Sequence, residues 1–167
     1  MPEIVQLLAS PVHRFEGRPQ DGPAPAPVGE LVAEVRLRAG LGIVGDRYFG
    51  HRAHLDAAVT VIAQDSLPPG ADLTHVRRNV LLAGVAVDDL VGSILVLDSG
   101  DGPVRLRVNR PANPCAWMDV TIGPGARDQL RGRGGIRCTP LTDGVLRVGP
   151  VLVEIIPSEE EIIPPED

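Results

Sequence analysis

Between residues 31 and 38 the chain alternates apart from Val32, with Leu31, Ala33, Val35 and Leu37 apolar and Glu34, Arg36 and Arg38 charged. A period of two puts the first set on one face of an extended chain and the second on the other, which predicts a half-buried strand. Short apolar or alternating runs recur at 3–9, 58–63, 79–83, 93–97, 104–109, 136–141, 145–148 and 151–156, and turn-forming residues separate most of them. Each predicts a strand. The runs at 93–97 and 104–109 are joined by Asp98-Ser99-Gly100-Asp101-Gly102, so they are expected to pair as a hairpin. Helical periodicity is scarce: short helices are predicted from about residue 66 or 72, as one turn over 88–92 closed by Gly92, and over 125–130. A Pro- and Gly-rich loop running to about Gly29 is long enough to be either mobile or functional. Strands at this spacing with no long helices between them predict a mainly β domain, an antiparallel barrel or sandwich in which closure hides the sheet edges.

Composition supports that reading. Glycine and proline together number 36 of 167 residues, whereas aromatic residues total four, so the core must be built from Val, Leu and Ile. The length suits one domain. We expect it over residues 1–156, followed by an acidic, Pro-containing tail over 157–167. Five of the 22 acids lie in that tail, which leaves 17 against 16 bases in the body, so the net charge of −6 overstates the acidity of the folded part. A nearly neutral body without aromatic residues interleaved among basic ones predicts no nucleic-acid partner and no membrane partner. Lacking a signal-like amino terminus and any run long enough to span a bilayer, the chain is expected to be cytoplasmic, with its two cysteines reduced, although nothing in the sequence forbids a Cys115–Cys138 bridge. Every basic residue is arginine. Without lysine, the chain cannot form a Schiff base with pyridoxal phosphate or a carbonyl substrate, and guanidinium is its only strong cationic ligand for phosphate.

Chemistry concentrates in Arg110-Pro111-Ala112-Asn113-Pro114-Cys115-Ala116-Trp117, which holds one of two cysteines and the only tryptophan. Two prolines stiffen the approach to the sulfur. A helical turn starting at Cys115 would favour the thiolate, the form that ligates metal or attacks an electrophile; the competing reading is a cysteine buried for its apolarity. Arg77-Arg78-Asn79-Val80 opens a predicted strand, where alternation would aim Arg77 and Asn79 together and Arg78 away. Arg47, after a glycine turn, could hold a phosphate while Asp46 holds backbone. Arg131 and Arg133 sit in a glycine loop that could clamp an anion or simply be solvated. His51, His54 and Asp56 are close in sequence, but a surface loop outranks a metal site there. The run Gly40-Leu41-Gly42-Ile43-Val44-Gly45 matches a dinucleotide fingerprint literally, yet no helical period follows it and Asp46 would repel a pyrophosphate, so turns explain these glycines better. Cys138 lies in an apolar strand and is expected to be buried.

Taken together, the Gly45-Asp46-Arg47 turn, Arg77-Arg78-Asn79-Val80, the Arg110 to Cys115 loop, Arg131-Gly132-Arg133-Gly134-Gly135 and Gly144-Val145-Leu146-Arg147-Val148-Gly149 resemble, in order and spacing, a stand-alone bacterial-type MOSC domain, the family named for the carboxy-terminal domain of molybdenum cofactor sulfurase. The resemblance implies a MOSC-like β-barrel with a few short helices. It further implies binding of the molybdenum cofactor (molybdopterin), with Cys115 as catalytic residue and metal ligand and with His13, Arg14, Arg47, Arg77, Asn79 and Asn113 around the pterin and its phosphate. His13 and Arg14 stand where amidoxime-reducing members carry lysine and serine. The implied activity is an oxidoreductase that reduces N-hydroxylated small molecules and takes electrons from a separate electron-transfer protein. Two alternatives stand beside it: a sulfur carrier bearing a persulfide on Cys115, loaded by a cysteine desulfurase, and a barrel that binds a small molecule or partner without turnover.

Overall fold

The computed structural model describes residues 1–157. All but the first residue of the predicted acidic tail, 158–167, lie outside the described residues. The strands are β1 (Glu3–Leu8), β2 (Leu31–Val32), β3 (Glu34–Arg38), β4 (Gly42–Ile43), β5 (Val59–Ala63), β6 (Val80–Ala83), β7 (Ile94–Asp98), β8 (Val104–Pro111), β9 (Ile136–Pro140), β10 (Gly144–Arg147), β11 (Gly149–Pro150) and β12 (Leu152–Ile156). Three short helices, α1 (Leu73–Val76), α2 (Trp117–Thr121) and α3 (Ala126–Gln129), are joined by 3-10 turns at Pro19–Asp21, Arg52–Ala57 and Gln64–Ser66. The turn expected to be helical at 88–92 forms hydrogen-bonded turns instead.

The larger sheet runs β11-β1-β6-β5-β9-β8-β7-β12 with β2 attached to β1, and a small sheet runs β10-β3-β4. The predicted 31–38 strand is broken at Ala33, so β2 joins the large sheet and β3 the small one. Among the described residues no hydrogen-bonded ring closes, which departs from the barrel expected. The two ends of the sheet are nevertheless contributed by one stretch of chain: Gly149–Pro150 pairs with β1, Leu152–Ile156 pairs with β7, and only Val151 separates them. The sheet must therefore curl until its edges meet at that residue. The pairing is otherwise antiparallel except for β5 and β6, which run parallel because the chain between them crosses back through α1.

Alternation assigns two cores. From β1, β5 and β6, Leu7, Val59, Val61, Val80 and Leu82 point into the main core inside the curled sheet. Their neighbours Leu8, Ile62 and Leu81 point the other way, against Leu73 and Val76 of α1, Met118 of α2 and Ala126 of α3. Each such side chain, fully buried, stabilises the fold by roughly 1.5–3 kcal/mol. On β8 only one face is covered: Val104, Leu106 and Val108 are buried while Arg105 and Arg107 are exposed. The short helices thus pack on one side of the β1-β6-β5 region, and the site lies at the edge of that packing.

Candidate functional site

Strand β8 continues past the predicted end at residue 109 to Pro111 and delivers the chain into the cysteine loop. The next residue, Ala112, donates its N–H to the Gly135 carbonyl at 2.8 Å, lacing this loop to the glycine-rich loop 131–135. Contact there is close enough to exclude side chains: a Cβ on Gly134 would lie 2.1 Å from the Ala112 carbonyl oxygen, and one on Gly135, at φ +96°, 2.3 Å from that of Val61. Glycine is needed at both positions for approach. Arg131 and Arg133 of the same loop are solvated; Arg131 pairs with exposed Asp128 at 2.7 Å and Arg133 donates to the Asp65 carbonyl at 2.7 Å. Cys115 itself is half-buried, two residues before α2. Both cysteines carry free thiols.

The Arg-Arg-Asn segment departs from its predicted geometry. Strand β6 begins only at Val80, and Arg77 caps α1 in a left-handed conformation at φ 59°, donating its N–H to the Leu73 carbonyl at 2.7 Å. Without a strand there is no alternation, and all three side chains turn inward, at 4%, 9% and 1% exposure for Arg77, Arg78 and Asn79. Asn79 is a brace, accepting from the Thr60 N–H at 2.9 Å and hydroxyl at 3.1 Å and donating to the Leu8 carbonyl at 3.1 Å. Arg77 bonds Glu30 at 2.6 Å and the Val12 carbonyl at 3.3 Å, while its Nε is buried without a partner. Arg78, expected to point away, donates to the carbonyls of Gly134, Val76, Ala112 and Asn113 at 2.9, 3.2, 3.3 and 3.4 Å.

These elements enclose a cleft of about 190 Å³ lined by Cys115, Asn113, Met118, Phe15, Tyr48, His54, Ala57, Thr60 and four arginines: 47, 77, 78 and 137. Charge inside is unbalanced. Glu30 answers Arg77, and Asp46 answers Arg47 at 3.2 Å while also accepting from the N–H groups of Ser10 at 3.1 Å and Tyr48 at 3.4 Å. Arg78 and Arg137 form no ion pair among the described residues, and the Arg137 Nε is buried without a partner. Burial pulls the Arg78 guanidinium down to about 10, with Arg137 and Arg47 acting in the same direction and the charges of Cys115 and Tyr48 opposing it. At neutral pH it remains a cation.

One wall of the cleft continues as a row of rings. Tyr48 meets His13 edge-on at 5.2 Å between centroids and His54 at 4.9 Å; His54 in turn lies 4.8 Å from His51, and Arg47 sits 4.7 Å above the Tyr48 ring. Burial, then the neighbouring His51, His13 and Arg137 charges, hold the His54 imidazole below its usual value. No group of three or more His, Cys, Asp or Glu among the described residues is arranged to hold a metal ion, and His54 and Asp56 lie in the 3-10 turn Arg52–Ala57.

Of the residues expected at the site, Cys115, Arg47, Arg77 and Asn113 line the cleft. His13, Arg14 and Asn79 do not: Asn79 is the brace described above, Arg14 ties its own loop through a 2.8 Å bond from Nε to the Ala24 carbonyl, and His13 touches the cleft only through Tyr48. Arg137 and Tyr48, which line the cleft, carry no site signal in the sequence, and Arg78, predicted to point away, lines it too. Cys138 is fully buried on β9, where burial pushes its thiol up to about 12.

No protein-family model matches the chain, and no curated protein matches it significantly. Solved structures do. The YuaD protein from Bacillus subtilis superposes with a TM-score of 0.69 at 17% identity, over 93% of this chain and 96% of that one. YiiM from Geobacillus stearothermophilus gives 0.58 at 16% identity, over 92% of this chain and 75% of its own, and a hypothetical protein gives 0.57 at 16%, over 92% and 68%. The chain shares the fold of these proteins. No described helix is long and apolar enough to cross a membrane.

Proposed function

We propose that the cleft binds the molybdenum cofactor (molybdopterin), that the Cys115 sulfur is the protein's ligand to the metal, and that the loaded protein reduces N-hydroxylated compounds with electrons from a separate electron-transfer protein. The observation that carries this reading is the meeting of Cys115 with four guanidiniums in one cleft where, among the described residues, only two carboxylates answer them. An enclosed surplus of positive charge suits an anionic occupant, and the unpartnered Nε groups of Arg77 and Arg137 are donors waiting for acceptors. Thiolate is a soft ligand of the kind such a metal centre takes. When bound, the cofactor supplies the two-electron chemistry by which an N–O bond is reduced.

The chain's own residues orient and neutralise. Arg47 and Arg77 each keep N–H donors beyond those used on Asp46, Glu30 and backbone carbonyls, and each is tethered by one bond to its carboxylate. Asn113 adds an amide two residues from the sulfur. Asn79, His13 and Arg14 serve as scaffold for this set. Protein purified from a host that makes the cofactor is expected to carry molybdenum and pterin near one equivalent, and Cys115→Ser to lose the metal. Wild-type protein free of both would end this reading.

A second reading follows from the same surplus charge, which would stabilise a persulfide anion on Cys115 without any cofactor. After incubation with a cysteine desulfurase and cysteine, a mass increase of one sulfur on the Cys115 peptide would support it, and its absence would remove it.

A further inference from the structure

Among the described residues, Arg78 is the one buried cation of the cleft whose bonds all go to backbone. Its four partners come from three segments: Val76 at the end of α1, Ala112 and Asn113 in the cysteine loop, and Gly134 in the glycine-rich loop. Carbonyl dipoles can hold a guanidinium, but a buried charge with no counter-anion is ordinarily replaced by something cheaper, so its retention calls for a reason. Glu30 and Asp46 are already engaged by other arginines, and Cys115 shares the cleft wall. Only a planar fork with five donors reaches carbonyls in several directions at once; a lysine ammonium would supply the charge without the bridge. Gly134 shows how tightly the junction is drawn, since even a methyl group there would collide with the Ala112 carbonyl.

We propose that Arg78 is a positioning residue for Cys115, acting twice: its fork clamps the cysteine loop against the glycine-rich loop, and its charge provides the positive field that draws anions to the sulfur. This rests on Cys115 being the working thiol of the cleft. It does not depend on which cofactor or cargo the thiol serves.

The two roles separate experimentally in the full-length chain. The charge is read as the ratio of Cys115 alkylation rates with iodoacetate, an anion, and iodoacetamide, its neutral counterpart, followed peptide by peptide with Cys138 as internal control. The clamp is read as amide hydrogen exchange in the peptide spanning 110–118. Arg78→Met is expected to lower the ratio at least about fivefold at low ionic strength, a difference that shrinks as salt is added. Arg78→Lys should hold the ratio within about twofold while exchange in 110–118 speeds roughly tenfold, and Gly134→Ala should do the same with Arg78 intact. An unchanged ratio in Arg78→Met overturns the field, and wild-type exchange in Arg78→Lys overturns the clamp. If Arg78→Met does not fold, Arg78→Gln takes its place in the ratio measurement under the same criterion. Molybdenum content, measured on the same preparations, tests the cofactor reading separately: wild-type protein without metal but with these ratios intact would remove that reading and leave Arg78 in its role.

Discussion

The two cysteines of this chain occupy opposite chemical worlds. Cys138 lies on β9 between apolar neighbours, fully buried, and its thiol is pushed up to about 12 because no charge or donor offsets burial. Cys115 is half-exposed on a loop fastened by buried polar bonds, at the wall of a cleft carrying more guanidinium than carboxylate. Residue type is the same at both positions. The difference lies in what the backbone does nearby: a regular strand satisfies its own polar groups and leaves side chains to pack, whereas an irregular loop must recruit side chains such as Arg78 to satisfy its carbonyls, and these bring charge with them.

The contrast is largest in reactivity. Cys115 is expected to be alkylated by iodoacetamide at pH 8 roughly 10³-fold faster than Cys138, because Cys115 is accessible while burial both shields Cys138 and holds it as the thiol, and Cys115→Ser should abolish labelling of the native protein. Peptide mapping checks this, and comparable rates would erase the distinction. Next in size is the polar frame on the Cys115 side. Replacing Glu30 with Leu leaves Arg77 buried and unpaired and should cost about 3–5 kcal/mol in urea unfolding; a loss under about 1 kcal/mol would mean that Arg77 is not held as described. On the other side, Cys138→Ser puts a hydroxyl into an apolar strand and should cost about 1–3 kcal/mol while leaving Cys115 labelling untouched. A change in Cys115 reactivity in that variant would show the two regions to be coupled.

The smallest effect concerns pH. His54 is held below its usual value in the folded protein, so below about pH 6.5 the unfolded chain takes up a proton that the folded chain resists. Stability should therefore fall as pH drops through that value and level off once folded His54 also protonates, and His54→Gln should remove this part of the slope between pH 7.5 and 5.5. An unaltered slope would place the imidazole outside the field of the cleft.

Much of the frame was readable in advance because period-two patterning is local. The strands at 3–9, 58–63, 104–109 and 136–141 reappear as β1, β5, β8 and β9 within one or two residues, and the 93–97 and 104–109 runs pair as a hairpin. The break at Ala33 was not legible, since one apolar residue out of step, Val32, does not mark an end and only the partners of β2 and β3 differ. Of the residues that line the cleft, motif order singles out Cys115, Arg47, Arg77 and Asn113. Arg78 is predicted to point away because a strand opening at Arg77 would alternate, whereas β6 begins only at Val80. Arg137 gave no signal at all, because an arginine on a strand reads as solvent-facing until the sheet curls and brings it beside Cys115.

What the sequence alone determined is the inventory and the frame: strands of a given length, a core of aliphatic residues, a thiol set in a proline-stiffened loop, and arginine as the sole basic residue. Tertiary structure decided which arginines face the thiol, which carboxylates cancel them, and that a sheet with two hydrogen-bonded ends curls until they meet at Val151. The physical reason is range. Side-chain period and turn chemistry act over a few residues, whereas burial and charge balance in the cleft are summed over segments as far apart in sequence as Phe15 and Arg137, and only the folded chain performs that sum.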